Sequence, residues 1–326
     1  MKLPRAFDPF TLAIALAVTV AVLAPCRGEV ARVLDVTSTL AISLLFFFQG
    51  VKLSREALVE GLVHYRLHLV VLTTTFFVFP LLGLVLQPLG ERLVSPALYA
   101  GVVFLCVLPS TIQSSVIFTS IAGGNVAAAV CAASLSSVLG VVLTPVLWGV
   151  LGSGQAAGAV SFGAIGDIAL VLLLPLILGQ LARPRLGAFV EARRSAFKLL
   201  DQGTIVLIVY LAFSRSVVDG LWRSIPLESL ATLALFMPVL LGLVLTFTWQ
   251  VARRLGFSRR DEIAIVFCGS KKSLATGVPM AQVLFPSAVV GQLVLPLMFF
   301  HQLQLMACAV IARRYAASTA PDPPAR

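Results

Sequence analysis

Apolar residues in this chain come in long continuous runs, not in alternation by twos, and short polar or charged segments separate one run from the next. Runs of this length suit helices that cross about 30 Å of hydrocarbon, where only helices or closed barrels satisfy their backbone groups. Ten spans are predicted, at 10–24, 34–50, 67–86, 96–121, 126–151, 162–181, 203–221, 230–252, 263–284 and 289–312. Nothing is left over for a soluble domain, so the expected fold is an all-α, multi-pass membrane protein.

Two of the spans turn polar in the middle. "VFLCVLPSTIQSSV" (103–116) and "IVFCGSKKSLATGV" (265–278) share an apolar start, a polar interruption and a return to apolar sequence, each followed by a loop and another helix. Pro109 lacks a backbone donor and clashes with the preceding turn, while Gly269 and Gly277 loosen the later span. A helix broken at the midplane frees N–H and C=O groups, which lipid tolerates only where they line a cavity or meet a ligand. Five spans, a short polar gap at 152–158 and five more give the parity of two inverted halves, and matched breaks in two such halves point to a substrate or ion site between them. Candidate site residues are therefore Pro109, Ser110, Thr111, Gln113, Ser114 and Ser115 in the first break, and Ser270, Lys271, Lys272 and Ser273 in the second.

The lysines are the unusual members. A lysine at mid-membrane costs about 2.5–3.5 kcal/mol on insertion scales, although the same pair at a membrane edge would snorkel to water. Neighbours on an intact helix point about 100° apart. Both can serve one site only if the helix is unwound; otherwise one faces the cavity and the other an acidic partner. Asp35 and Asp167 are candidate partners, and a position near the outer headgroups accounts for them equally well. His301 and Gln302, with Gln304 beside them, lie mid-span in the tenth helix, as ligands or proton relay or as a plain interhelical hydrogen bond. Gln113 and Asn125 flank the first break, where they bind substrate or cap exposed backbone. The stretch at 54–66 is amphipathic and is expected to lie along the inner surface.

Composition sharpens this. The chain has 326 residues, of which 59% are hydrophobic and 12% charged, with a mean hydropathy of +1.01. Its net charge of +10 does not read as nucleic-acid binding, because the cations are scattered through short loops with no binding fold. Most of the 24 Lys and Arg fall on one side if both termini are cytoplasmic, which fits the positive-inside rule and a cell (inner) membrane location. The basic, apolar N-terminus resembles a secretory signal, but Pro25 stands where cleavage needs a small residue, so it reads as the first span. The cysteines, at 26, 106, 131, 268 and 308, show no pairing motif and look like apolar fillers. No enzyme is expected. Asp167 has no second aspartate for an intramembrane aspartyl protease, and no serine has a complete set of catalytic partners.

"PSTIQSSVIFTSIAGGNVAAAVCAASLSSVLGVVLTPVL" (109–147) and "FCGSKKSLATGVPMAQVLF" (267–285) resemble the bile acid:sodium symporter superfamily, closest to its cotransporter-seven branch and the bacterial proteins like it. The resemblance implies ten helices as two inverted five-helix repeats, with spans 4 and 9 unwound and crossing at the midplane. It implies a cytoplasmic N-terminus (1–9), panel helices 1–2 (10–66), core helices 3–5 (67–151), a linker (152–161), panel helices 6–7 (162–222), core helices 8–10 (223–313) and a cytoplasmic tail (314–326). In sodium-coupled members a Ser-Asn pair stands where Ser114 and Ser115 stand here, leaving these two as weak sodium ligands. A Ser and a Thr of the fifth span fall at Ala129 and Ala133, a glutamate at Phe267, and a Gln-Asn pair at Lys271 and Lys272. The expected function is thus secondary transport of a small organic anion, with the lysines in place of sodium ions and coupling to protons or to no ion. A sodium-coupled symporter and a non-transporting regulator of the same fold are the alternatives. No cofactor is expected beyond Na+ or H+ as coupling ion. The expected partners are the lipid bilayer and the anion, with oligomeric state open.

Overall fold

The computed structural model describes residues 9–52, 64–152, 162–220 and 226–318, the side chains of residue 97 and of 162–171 excepted. Among these residues there is no strand. The helices are α1 (Pro9–Leu23), α2 (Gly28–Lys52), α3 (Tyr65–Val85), α4 (Gln87–Leu93), α5 (Pro96–Val107), α6 (Gln113–Ile121) and α7 (Val126–Leu151). They continue as α8 (Phe162–Ala192), α9 (Arg194–Val218), α10 (Leu227–Arg254), α11 (Arg259–Gly269), α12 (Leu274–Leu284) and α13 (Ser287–Ala317).

Six of these, α2, α3, α7, α9, α10 and α13, are each long and apolar enough to cross a membrane. Large apolar side chains such as Leu23, Leu40, Leu69, Phe77 and Leu235 point outward, while Ser110, Ser115, Lys271, Lys272 and Gln304 are buried. That is the reverse of a soluble protein's arrangement and suits a surface solvated by lipid.

Helix ends follow local chemistry. Asn125 caps α7 by accepting from the Ala128 N–H, Ser258 caps α11 through the Asp261 N–H, and Ser273 caps α12 through the Thr276 N–H. The helices of the sixth and seventh predicted spans extend beyond them: α8 runs on from 181 through Arg183, Pro184 and Arg185 to Ala192, and α9 starts at Arg194, ahead of 203. Charged residues end a hydrophobic run, but a helix keeps its own backbone bonds in water as in lipid, so it need not stop there. The amphipathic stretch at 54–66 lies almost wholly outside the described residues, as does the side chain of Asp167.

Two sets of helices pack mainly among themselves. In one, α2 lies along α8, and α1 and α2 both contact α9. The α2–α8 contact is backbone on backbone: a Cβ on Gly179 would run into the Phe47 carbonyl, and one on Gly50 into the Leu176 carbonyl. Small residues are how membrane helices approach this closely. Two ion pairs tie α2 to α9, Asp35 with Arg215 and Lys52 with Asp201, the latter at 2.5 Å. In the other set, α13 packs on α5, α6, α10 and α12, and α11 packs on α3, α6, α7 and α10; across the two sets α9 lies against α12 and α13, and α8 against α7.

One irregularity positions the site. In α3, residues Thr74–Val78 are wound as a π-helix, so the Phe79 N–H bonds the Thr74 carbonyl and leaves that of Thr75 without its helical donor. Pro80 follows at once and has no N–H to repair the ladder.

Candidate functional site

Both predicted breaks are present. α5 ends at Val107, Leu108 is extended, and α6 begins at Gln113. The residue before a proline is driven out of helical geometry, so Pro109 ends the helix through Leu108. Its ring lies against Gly140 of α7, where a Cβ would come within 2.5 Å of Pro109 Cβ. The second break separates α11, ending at Gly269, from α12, beginning at Leu274.

The breaks lie against each other. The Ser273 N–H donates to the Pro109 carbonyl at 2.9 Å. Ser110 Oγ donates to the Cys268 carbonyl at 2.5 Å and Ser115 Oγ to that of Phe267 at 3.0 Å, so hydroxyls of the first break cap the C-terminus of α11. In return Lys272 of the second break caps α5. Its Nζ donates to the carbonyls of Cys106 at 2.8 Å and Leu108 at 2.7 Å, and also to the freed Thr75 carbonyl at 2.8 Å. Thr144 Oγ1 donates to the carbonyl between those of Cys106 and Leu108, that of Val107, at 2.9 Å. Four of the carbonyls freed by breaking the two helices, those of Cys106, Leu108, Phe267 and Cys268, are thus paired by side chains from the opposite break.

The lysines therefore divide. Lys272 places its ammonium at the negative end of α5, in three hydrogen bonds and 4.1 Å from the centre of the Phe79 ring. Lys271 is equally buried, yet its Nζ has no hydrogen-bond partner; it lies 4.0 Å from the centre of the Phe118 ring and 5.4 Å from that of Phe267. Asp35, one of the two candidate partners, is engaged by Arg215 instead. A buried cation that meets ring faces and the Cys268 and Cys308 thiols but no hydrogen-bond acceptor is costly, so a counter-charge delivered to this point is attracted more strongly than it would be in water.

The other candidates are distributed around this centre. Thr111 Oγ1 lies 2.7 Å from Ser114 Oγ and 3.0 Å from Ser115 Oγ, a hydroxyl cluster at the start of α6, and Ser110 N–H donates to Ser136 Oγ at 3.0 Å. Ser270 Oγ turns back to the Val266 carbonyl at 2.6 Å. Gln113 is exposed. Asn125, besides capping α7, donates to Asp261 at 2.8 Å, so both ends of its amide are used at the α6–α7 turn. In the tenth predicted span Gln302 turns towards α1, 3.1 Å from Thr11 Oγ1, and away from the break. Gln304 meets the break: its Oε1 accepts from the Lys272 N–H and its Nε2 donates to the Lys272 carbonyl, each at 2.9 Å, with His301 Nδ1 2.9 Å from the same Nε2. The carbonyl of Thr75 is a part of the junction that sequence reasoning missed, and Gln304, grouped there with His301 and Gln302, is the one of the two glutamines that meets the break. Pro80 was the available signal for the first, and the spacing of Gln304 from His301 on one helix face for the second.

The chain resembles known proteins along nearly its whole length. An uncharacterized protein of Pseudomonas aeruginosa is 53% identical over 317 residues, covering 97% of this chain and 95% of that one. The putative symporter YfeH of Escherichia coli (strain K12) is 50% identical over 319 residues, 98% of this chain and 96% of its own. Sodium/bile acid cotransporter 7 of Danio rerio is 32% identical over 312 residues, 93% and 91% of the two chains. The family model of the SBF-like CPA transporters matches residues 8–317, both breaks included. The chain is a multi-pass integral membrane protein of the SBF-like CPA transporter family, related to the sodium/bile acid cotransporters.

Proposed function

We propose that this protein is a secondary active carrier of a small organic anion that works by alternating access. In this reading ten spans form two inverted five-helix repeats, with α5–α6 and α11–α12 as the broken fourth and ninth spans. α1, α2, α8 and α9 form a panel that moves against a core built from the remaining helices. The chain sits in the cell (inner) membrane with both termini in the cytoplasm.

The observation that carries the proposal is the unpartnered ammonium of Lys271, buried at the junction of two broken helices. A fixed or protonatable charge there takes the place of a coupling sodium ion: charged, it holds the anion, and if it loses its proton on release, transport couples to protons. Two further features support the inverted arrangement. The C-termini of α5 and α11 are capped reciprocally, and α2 and α9 each carry an aspartate nearer their N-terminus and a cation nearer their C-terminus, paired crosswise.

The test is uptake of labelled organic anions into proteoliposomes in sodium-free medium, with and without a proton gradient. Uptake that needs no sodium and fails in Lys271→Met supports the proposal. The hydroxyl cluster of Thr111, Ser114 and Ser115 favours the second reading, a sodium-coupled symporter, and uptake strictly dependent on sodium decides for it. A chain that moves no anion under either gradient is a regulator in the same fold.

A further inference from the structure

We propose that Lys272 plugs a monovalent-cation site of its own: the carbonyl oxygens of Thr75, Cys106 and Leu108 and the ring face of Phe79 form a cage for one ammonium-sized cation, which this chain fills with a tethered ammonium. Three carbonyls, from α3 and from the end of α5, converge on Lys272 Nζ at 2.7–2.8 Å, and the ring caps them at 4.1 Å from its centre. Each oxygen is available for a backbone reason. The π-helix diverts the Phe79 N–H from Thr75, and the break at Pro109 leaves Cys106 and Leu108 without the next turn's donors. The cage is thus a property of the backbone, present whichever side chain fills it.

The surroundings fit a cation. The cage offers three carbonyl acceptors and a π face, at the negative end of a helix and with the Cys106 thiol nearby, and Lys272 is wholly buried there. The tether itself is held from outside the cage, by the two hydrogen bonds of Gln304 to the Lys272 backbone. With the tether shortened, the three carbonyls face an empty volume of the size and charge preference of a small monocation. The junction of the two broken helices is therefore held by a resident cation. This goes beyond the carrier reading and stands whether or not an anion is moved, since it is read by unfolding and the carrier by uptake.

The experiment is thermal unfolding of purified Lys272→Ala in detergent, in the chloride salts of choline, sodium, potassium, ammonium and methylammonium, with wild type and Lys272→Met in parallel. A cation that binds the folded cage alone raises stability with concentration by mass action. Lys272→Ala should unfold several degrees below wild type in choline and recover saturably in ammonium or another small monocation, while wild type and Lys272→Met do not respond. A Lys272→Ala protein insensitive to every small cation, or a wild type that responds equally, overturns the proposal. Lys272→Met fills the volume without charge; stability equal to wild type means that the carbonyls need no cation, and overturns it even if Lys272→Ala does not fold.

Discussion

Gln304 holds Lys272 by the backbone, its amide accepting from the Lys272 N–H and donating to the Lys272 carbonyl, both at 2.9 Å. These two groups lost their helical partners at the second break, so the glutamine replaces the missing turn from a neighbouring helix.

Gln304→Leu leaves both backbone groups buried and unpaired. An unmade buried hydrogen bond costs about 1–3 kcal/mol, so the variant should lose about 2–4 kcal/mol of stability. Gln302→Leu, which gives up only a part-buried bond to Thr11, should lose about 1 kcal/mol or less. Denaturant unfolding of the two proteins in detergent checks the order.

The paired charges of α2 and α9 make a prediction for a double-mutant cycle. Asp35 and Arg215 are a little over a quarter exposed, so water screens the pair and its worth is about 1 kcal/mol. Asp35→Arg and Arg215→Asp should each destabilise, and the double exchange should recover most of the loss. Additive losses in the double variant would show that the two side chains do not act as a pair.

Glycines on the packed helices should respond oppositely to alanine. At Gly179 a Cβ meets the Phe47 backbone, which cannot step aside, whereas at Gly203 of α9 nothing lies within 4 Å. Gly203→Ala should be neutral or stabilise by up to about 1 kcal/mol through helix propensity. Gly179→Ala should force α2 from α8 and cost about 2 kcal/mol or more, in the range of overpacked cores. Melting temperatures of the two variants against wild type measure the difference.

Much of this architecture is legible in the chain because lipid simplifies the code. Unbroken apolar runs mark the helices, and Pro109 and the polar interruption around Lys271 mark both breaks to within a residue or two. The roles of the two lysines are not legible, because they depend on which direction each takes once the helix unwinds. The Thr75 carbonyl is invisible to any reading of side chains, since what frees it is a backbone shift of one residue in α3. Asp35 illustrates the same limit: its partner, Arg215, lies on a helix far away in sequence, and each looked like an isolated charge. Gln302 and Gln304 differ only in the face they occupy, and helical spacing from His301 selects Gln304.

The account rests on opposite roles for two adjacent lysines, so it predicts opposite signs. Replacing an unpaired buried charge by an apolar side chain removes its desolvation cost, so Lys271→Met should stabilise the protein. Removing the Lys272 ammonium strips three carbonyls of their donor and should destabilise by about 2–4 kcal/mol. The most direct measurement is thermal unfolding of wild type, Lys271→Met and Lys272→Met, with sodium against choline and across a panel of small organic anions. The predicted result is a ligand-free Lys271→Met protein more stable than wild type, a Lys272→Met protein less stable, and an anion-induced rise that needs no sodium and disappears in Lys271→Met. A wild type stabilised by sodium alone, or an anion response that survives in Lys271→Met, would contradict it.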